Sequence, residues 1–282
     1  MIRIIADSTC DINAEEQKNL GIEVLPLSIT FGQKVYKDGI DLSHSQFYRL
    51  LEKSTKLPTT SQINPGEFSM YFKKYMENGD DVIGIFLSSE LSGTFQSARI
   101  AANAINPEHI FTIDSGTGSF GTALLIKEAV RLRDSGEYTA AEIVTKIQRL
   151  VSRLRIYAVV DTLKYLKMGG RIGTYTNIIG TALKICPIVE VYCGKLAVVS
   201  KSRGEKGGFN ELLKQLNNYS VDYSYGVAFG HSDSPERLQR CVEFLKPHLQ
   251  TNDIYIGSLG SVIGTHTGPG VVGIAFIEKE EK

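Results

Sequence analysis

Along the first half of the chain, short runs rich in Ile and Val alternate with stretches whose apolar residues recur every three or four positions. The runs "RIIAD", "IEVLPLSITF", "VIGIFLS" and "IFTID" read as strands. Between them, "SQFYRLLEKS", "PGEFSMYFKKYMENG", "TFQSARIAANAI" and "TALLIKEAVRLRDSG" have helical spacing, and the second and fourth close on a glycine where a helix C-cap is expected. Strand–helix alternation of this kind builds crossover units on a largely parallel sheet. The helix "TAAEIVTKIQRLVSRL" then leads to a strand, "IYAVVDT", and the pattern changes. "IVEVYCGKLAVVSKSR" reads as an antiparallel hairpin turning near Cys193-Gly194. Helices "KGGFNELLKQLNNY" and "SPERLQRCVEFLKPHL" follow, with strands "YGVAFGH", "DIYIGSLGS" and "GVVGIAFIE". The expectation is α/β architecture in two domains, 1–155 with a largely parallel sheet and flanking helices, and 156–282 with mixed α/β structure. No repeat, low-complexity tract or long linker separates them, so close packing is expected. "SVIGTHTGPGVVGIAF" reads as a strand, a glycine loop and another strand, which leaves His266 with no apolar face to bury it.

Composition narrows the partners. The 282 residues carry 31 basic and 31 acidic side chains, so net charge offers no drive toward nucleic acid. The start, "MIRIIADSTCD", has an apolar run too short for a signal peptide or a membrane span, and a cytoplasmic protein is expected. Cys10, Cys186, Cys193 and Cys241 are scattered without a C-x-x-C, which suggests neither a disulfide framework nor a zinc knuckle; no metal is expected.

Several stretches carry candidate chemistry. "GTGSFG", Gly116 to Gly121, matches a dinucleotide fingerprint between a strand and a helix, but the second strand and its acid are missing, because Tyr138 onward reads as another helix. "DSTCD" places Asp7 and Asp11 where the first strand ends, either as a carboxylate pair or, as preferred here, as an Asx-type turn and cap leading into "INAEEQKNLG". "LSSELSGTFQSA" offers Ser88, Ser89, Ser92 and Thr94 with Gly93 at a helix start, and "PTTSQINPGEF" offers Thr59, Thr60 and Ser61 before a helix beginning near Pro65. Such hydroxyls are either caps or a neutral anion cradle, and two such loops at strand ends would face one crevice. His266 could complete that crevice. With Ser92 and Asp114 it would suggest an esterase or thioesterase triad, although no G-x-S-x-G elbow is present. Alternatively, hydroxyls and imidazole hold a carboxylate without attacking it. The local sequence leaves a structural and a binding role for His266 equally open.

Six motifs in order resemble the DegV family of bacterial fatty-acid-binding proteins: "DSTCDI", "TSQINPGEF", "LSSELSGTFQSA", "DSGTGSFG", "LKMGGRIG" and "HTGPG". Some members of that family act as the acyl-carrier subunit of a fatty-acid kinase, in phospholipid metabolism. The resemblance implies a two-domain α/β fold with the lipid between the domains and its carboxylate held by Thr60, Ser92 and His266. Ser61, Gly93, Thr94 and Thr265 are accessory positions, and Arg171 would lie near the entrance where the kinase is met. It further implies a non-catalytic carrier, monomeric, whose partners are a long-chain fatty acid, a separate ATP-dependent kinase subunit and a transient membrane contact; the fatty acid is a ligand and no cofactor is expected. One departure is Cys186-Pro187 in "KICPIVEV", where Lys-Pro is expected.

For such a ligand, affinity comes from the tail. Burying about fifteen methylenes at ~0.8 kcal/mol each is worth at most roughly 12 kcal/mol before ordering costs. The head-group residues would select and position the carboxylate. Leu27, Ile29, Phe31, Phe86, Phe95 and Ile263 are candidate tail linings.

Overall fold

The structure is a computed structural model that describes residues 1–172 and 185–280. In chain order its elements run β1 (Ile2–Asp7), α1 (Ala14–Leu20), β2 (Ile22–Leu25), β3 (Ser28–Phe31), β4 (Lys34–Lys37), α2 (His44–Lys53), β5 (Thr59–Ser61), α3 (Pro65–Glu77), β6 (Asp81–Phe86), α4 (Thr94–Ile105), β7 (Ile110–Asp114), α5 (Ser119–Ser135) and α6 (Ala140–Val151). They continue as β8 (Leu154–Val159), α7 (Lys164–Met168), β9 (Ile185–Tyr192), β10 (Lys195–Arg203), α8 (Gly204–Asn217), β11 (Val227–His231), α9 (Pro235–Leu245), β12 (Ile254–Ser258), α10 (Ser261–Thr267) and β13 (Val272–Ile277).

Three sheets result. A wholly parallel one has the order β2-β1-β6-β7, a mixed one the order β10-β9-β8-β13-β11-β12, and a small antiparallel one the order β4-β3-β5. The first two stack with α5 and α6 between them. Ile4, Ile83 and Ile113 of the parallel sheet join Ile156 and Ala275 of the mixed sheet through the buried side chains of these helices. A helix between two sheets keeps little wet face, and α5 is accordingly buried around most of its circumference, from Phe120 to Leu132. Beyond the parallel sheet, α2, α3 and α4 close a second core around Phe47, Phe68, Phe72 and Phe86. Beyond the mixed sheet, α8 and α9 close a third around Phe209, Leu212, Phe229 and Cys241.

Four local expectations are corrected. The run Ile22–Phe31 is two strands in two sheets: Pro26 has no N–H for a ladder, and the next N–H, of Leu27, donates to Ser8 Oγ at 3.1 Å. Thr60 precedes α3 not as a helix-start loop but on β5, paired with Ile29 of β3. Asp7 does cap, but it caps the short 3-10 turn Ser8–Cys10 and also accepts from the Leu87 N–H at 2.7 Å; α1 takes its cap from Asn13. Ser261–Thr267 is a helix. Gly264 at its centre lies so close to α2 that a Cβ there would sit 2.6 Å from the Tyr48 hydroxyl oxygen, and Gly268 stops it at φ 73°. Small residues leave no apolar period to read, so packing against α2 decides what the pattern could not.

The Cys193-Gly194 hairpin turn of β9 and β10 reaches the other half, where the Gly194 N–H donates to the Gly116 carbonyl at 2.6 Å. In β9, Cys186 is buried and the Pro187 carbonyl accepts from the Val160 N–H at 3.0 Å. Gly173 of "LKMGGRIG" and Lys184 of "KICPIVEV" lie outside the described residues.

Candidate functional site

Between the C-terminal end of the parallel sheet and the inner face of the mixed sheet lies a cavity with about 1130 Å³ of empty space, its open mouth included. Its apolar walls include Leu87 and Phe120 on one side and Ile156, Ala158, Val189 and Val191 on the other. The second group forms two register pairs, Ile156 with Val191 and Ala158 with Val189, so all four face the same way from β8 and β9. Polar lining includes Thr60, Gln62, Ser92, Arg171, His266 and Thr267, with Thr117 and Ser119 on the parallel-sheet side.

Each polar group has an identifiable support. Thr60 on β5 meets His266, in the last turn of α10, with Oγ1 and Nε2 2.9 Å apart. The other ring nitrogen, Nδ1, is buried and has no hydrogen-bond partner among the described residues. It lies against Gly169, where a Cβ would collide with it, so glycine there makes room for the imidazole. Ser92 Oγ lies 3.0 Å from Thr94 Oγ1 and accepts the Thr94 N–H at 3.3 Å, at the start of α4. Arg171 donates through Nη1 to the Gly169 carbonyl at 2.6 Å and through Nε to the Leu91 carbonyl at 3.2 Å, tying the turn after α7 to the loop after β6. Gln62 donates to Ser97 Oγ at 2.9 Å and occupies the place a Cβ on Gly93 would need.

Burial, reinforced by the positive charge of Arg171, lowers the pKa of His266 to about 4. The ring is neutral near pH 7. A group buried neutral contributes stability that is complete above its unfolded pKa and lost as pH falls toward the folded one. Relative to His266→Asn, the ligand-free wild type is therefore expected to lose about 2–3 kcal/mol between pH 7.5 and 4.5. Denaturant titrations of both proteins at the two pH values measure this, and a constant difference would contradict it.

Of the residues singled out in the sequence, Thr60, Ser92, Gly93, Arg171 and His266 line one cavity. Ser61 is exposed, while Thr94 and Thr265 are buried, Thr265 donating to the Ser261 carbonyl at 2.8 Å. Of the tail candidates, Leu27 and Ile263 line the cavity, whereas Ile29 and Phe86 belong to the second core, with Phe31 and Phe95 packed against it. Gln62 and Thr267 are additions; Gln62 stood within "TSQINPGEF", but nothing local distinguished it. Asp114 accepts from the Ser89 and Gly116 N–H groups, the latter at 2.9 Å, and no carboxylate orients His266, so the described residues form no Ser–His–Asp triad. "GTGSFG" begins α5, and α6 follows in place of the second strand a dinucleotide fold requires. Among the described residues no group of three or more His, Cys, Asp or Glu is arranged to hold a metal ion, and no helix is long and apolar enough to cross a membrane.

Fold and cavity together define an α/β protein with a largely apolar chamber that gathers hydroxyls, an imidazole and a guanidinium at its wall. The chain belongs to the DegV family: the family model described as "Uncharacterised protein, DegV family" matches residues 1–279. A DegV domain-containing protein of Caldanaerobacter subterraneus subsp. tengcongensis is 36% identical over 279 residues, 99% of each chain. Among solved structures, a fatty-acid-binding DegV family protein from Thermus thermophilus superposes with a TM-score of 0.89 at 28% identity, covering 99% of both chains. DegV of Bacillus subtilis, described as a fatty acid binding protein, does so at 0.85 and 30%, again over 99% of both.

Proposed function

We propose that this protein binds a long-chain fatty acid, its tail in the apolar cavity and its carboxylate held by Thr60, Ser92 and His266, and presents that carboxylate to a separate ATP-dependent kinase subunit. The observation that carries the reading is the meeting of Thr60, Ser92, Arg171 and His266 at one chamber whose remaining lining is mostly aliphatic. Residues 1–155 and 156–282 act in it as two domains that clasp the lipid. A carboxylate placed there receives hydroxyl and imidazole hydrogen bonds at little cost in flexibility, since Thr60 and Ser92 sit on a strand and at a helix start. Arg171 adds long-range attraction. Its two bonds to carbonyls hold the guanidinium in place, so it orients the head group's surroundings and marks the rim that a kinase would meet. Hydroxyl donors can also accommodate an acyl phosphate product, and fixing the acceptor oxygen is the larger part of what phosphoryl transfer requires.

Purified from a bacterial host, the protein is expected to retain fatty acid at close to one per chain, seen by native mass spectrometry and by extraction. ATP alone should leave that acid unchanged, with acyl phosphate appearing only when a catalytic kinase subunit is added. A chain that carries no fatty acid and takes up none when it is supplied would overturn the lipid reading. ATP-dependent turnover by the chain alone would overturn the carrier reading.

A further inference from the structure

We propose that the Phe120 ring sets how far the acyl tail can extend, by filling space over a row of glycines that would otherwise belong to the cavity; this rests on the fatty-acid reading above. Ala158, a cavity residue on β8, is in register with Gly273 on β13, Gly273 with Gly230 on β11, and Gly230 with Gly257 on β12. Register partners on adjacent strands face the same side of a sheet, so these three glycines continue the cavity floor beyond Ala158. The parallel row continues from Ile156 through Ala275 to Ala228. In these two rows, β13 and β11 therefore carry nothing larger than a methyl group.

Glycine inside a strand weakens it and calls for a reason. None of the three has positive φ, so backbone conformation supplies none. Space does. A Cβ on Gly230 would fall on the Phe120 ring, and one on Gly257 would lie 3.3 Å from the Phe120 Cβ. Phe120, in the first turn of α5, is buried and also lines the cavity. The wall on the β11 side is thus one aromatic ring resting on bare backbone, and the sheet behind it has room for a tail once the ring is gone.

Two substitutions should move the limit in opposite directions. Phe120→Ala, or the milder Phe120→Leu, opens the glycine floor, and each methylene that enters should tighten binding about fourfold, at ~0.8 kcal/mol per group. Gly230→Ala pushes the ring toward the cavity and should shorten the preferred chain. Wild type and variants are purified from the same culture, their bound acids are profiled, and a homologous series of saturated fatty acids competes for a fluorescent one. A longer optimum with Phe120→Leu or Phe120→Ala and a shorter one with Gly230→Ala support the proposal; if Phe120→Ala does not fold, the other two carry the test. Unchanged optima in lipid-loaded variants, or shifts in the same direction, overturn it. Wild type that binds no fatty acid would instead overturn the reading on which it rests.

Discussion

Ala158→Phe leaves the protein folded and empties it of lipid. Ala158 sits mid-strand on the inner face of the mixed sheet, between Val189 and Gly273, and its methyl group borders the cavity. A phenylalanine is well suited to a strand, and here its ring enters open space instead of packed core, so the usual overpacking cost is largely avoided. The ring takes the place of about four tail methylenes, a loss near 3 kcal/mol and a binding constant weakened roughly 200-fold. Thermal unfolding of the delipidated variant should match delipidated wild type, while native mass spectrometry finds the variant empty. A variant that still carried fatty acid at wild-type stoichiometry would mean the tail lies elsewhere.

Removing the head-group contacts acts differently. Thr60→Val keeps the shape of the β5 side chain and deletes its hydroxyl, and His266→Ala deletes the imidazole that faces it. Hydrogen bonds to a charged group are worth about 1.5–3 kcal/mol each, so either change should weaken binding by roughly 10- to 150-fold. Because the tail supplies most of the binding energy, residual lipid is expected at high concentration. If the protein presents its lipid to a kinase subunit as proposed, the larger loss should appear in acceptance of phosphate, where the position of one oxygen matters. Titration of fatty acid into delipidated variants gives the first quantity and acyl phosphate formation at saturating lipid gives the second. If both variants bound and reacted as wild type does, Thr60 and His266 would be packing residues. Ser92→Ala is a milder form of the same test, since Thr94 stands 3.0 Å from the hydroxyl removed.

How much of the site was legible depended on how local its signal was. The hydroxyls of "LSSELSGTF" stood out because a strand end followed by a helix start is a local event. Gly93, next to Ser92, was visible only as part of that motif, and its reason, the Gln62 side chain resting on it, spans two elements. Gly169 likewise was visible only within "LKMGGRIG", and its reason, the buried Nδ1 of His266 lying against it, spans two elements. Phe86 and Phe95 stood out as candidates for a tail channel, yet of these and Phe120 only Phe120 lines the cavity. Nothing in an isolated aromatic says which side of a layer it will occupy.

Hydrophobic period, cap residues and turn glycines determined most of the strands and helices and the hairpin at Cys193-Gly194, because these follow from forces acting between residues a few positions apart. The tertiary structure alone decided that Ser261–Thr267 coils into a helix, that Pro26 sends one apolar run into two sheets, and that Thr60 meets His266 across 206 positions of chain. It alone separated cavity from core. The hydrophobic effect is non-directional: an apolar pattern shows which side chains leave water, but a side chain that leaves it for a neighbour and one that leaves it for a ligand carry the same mark in the sequence.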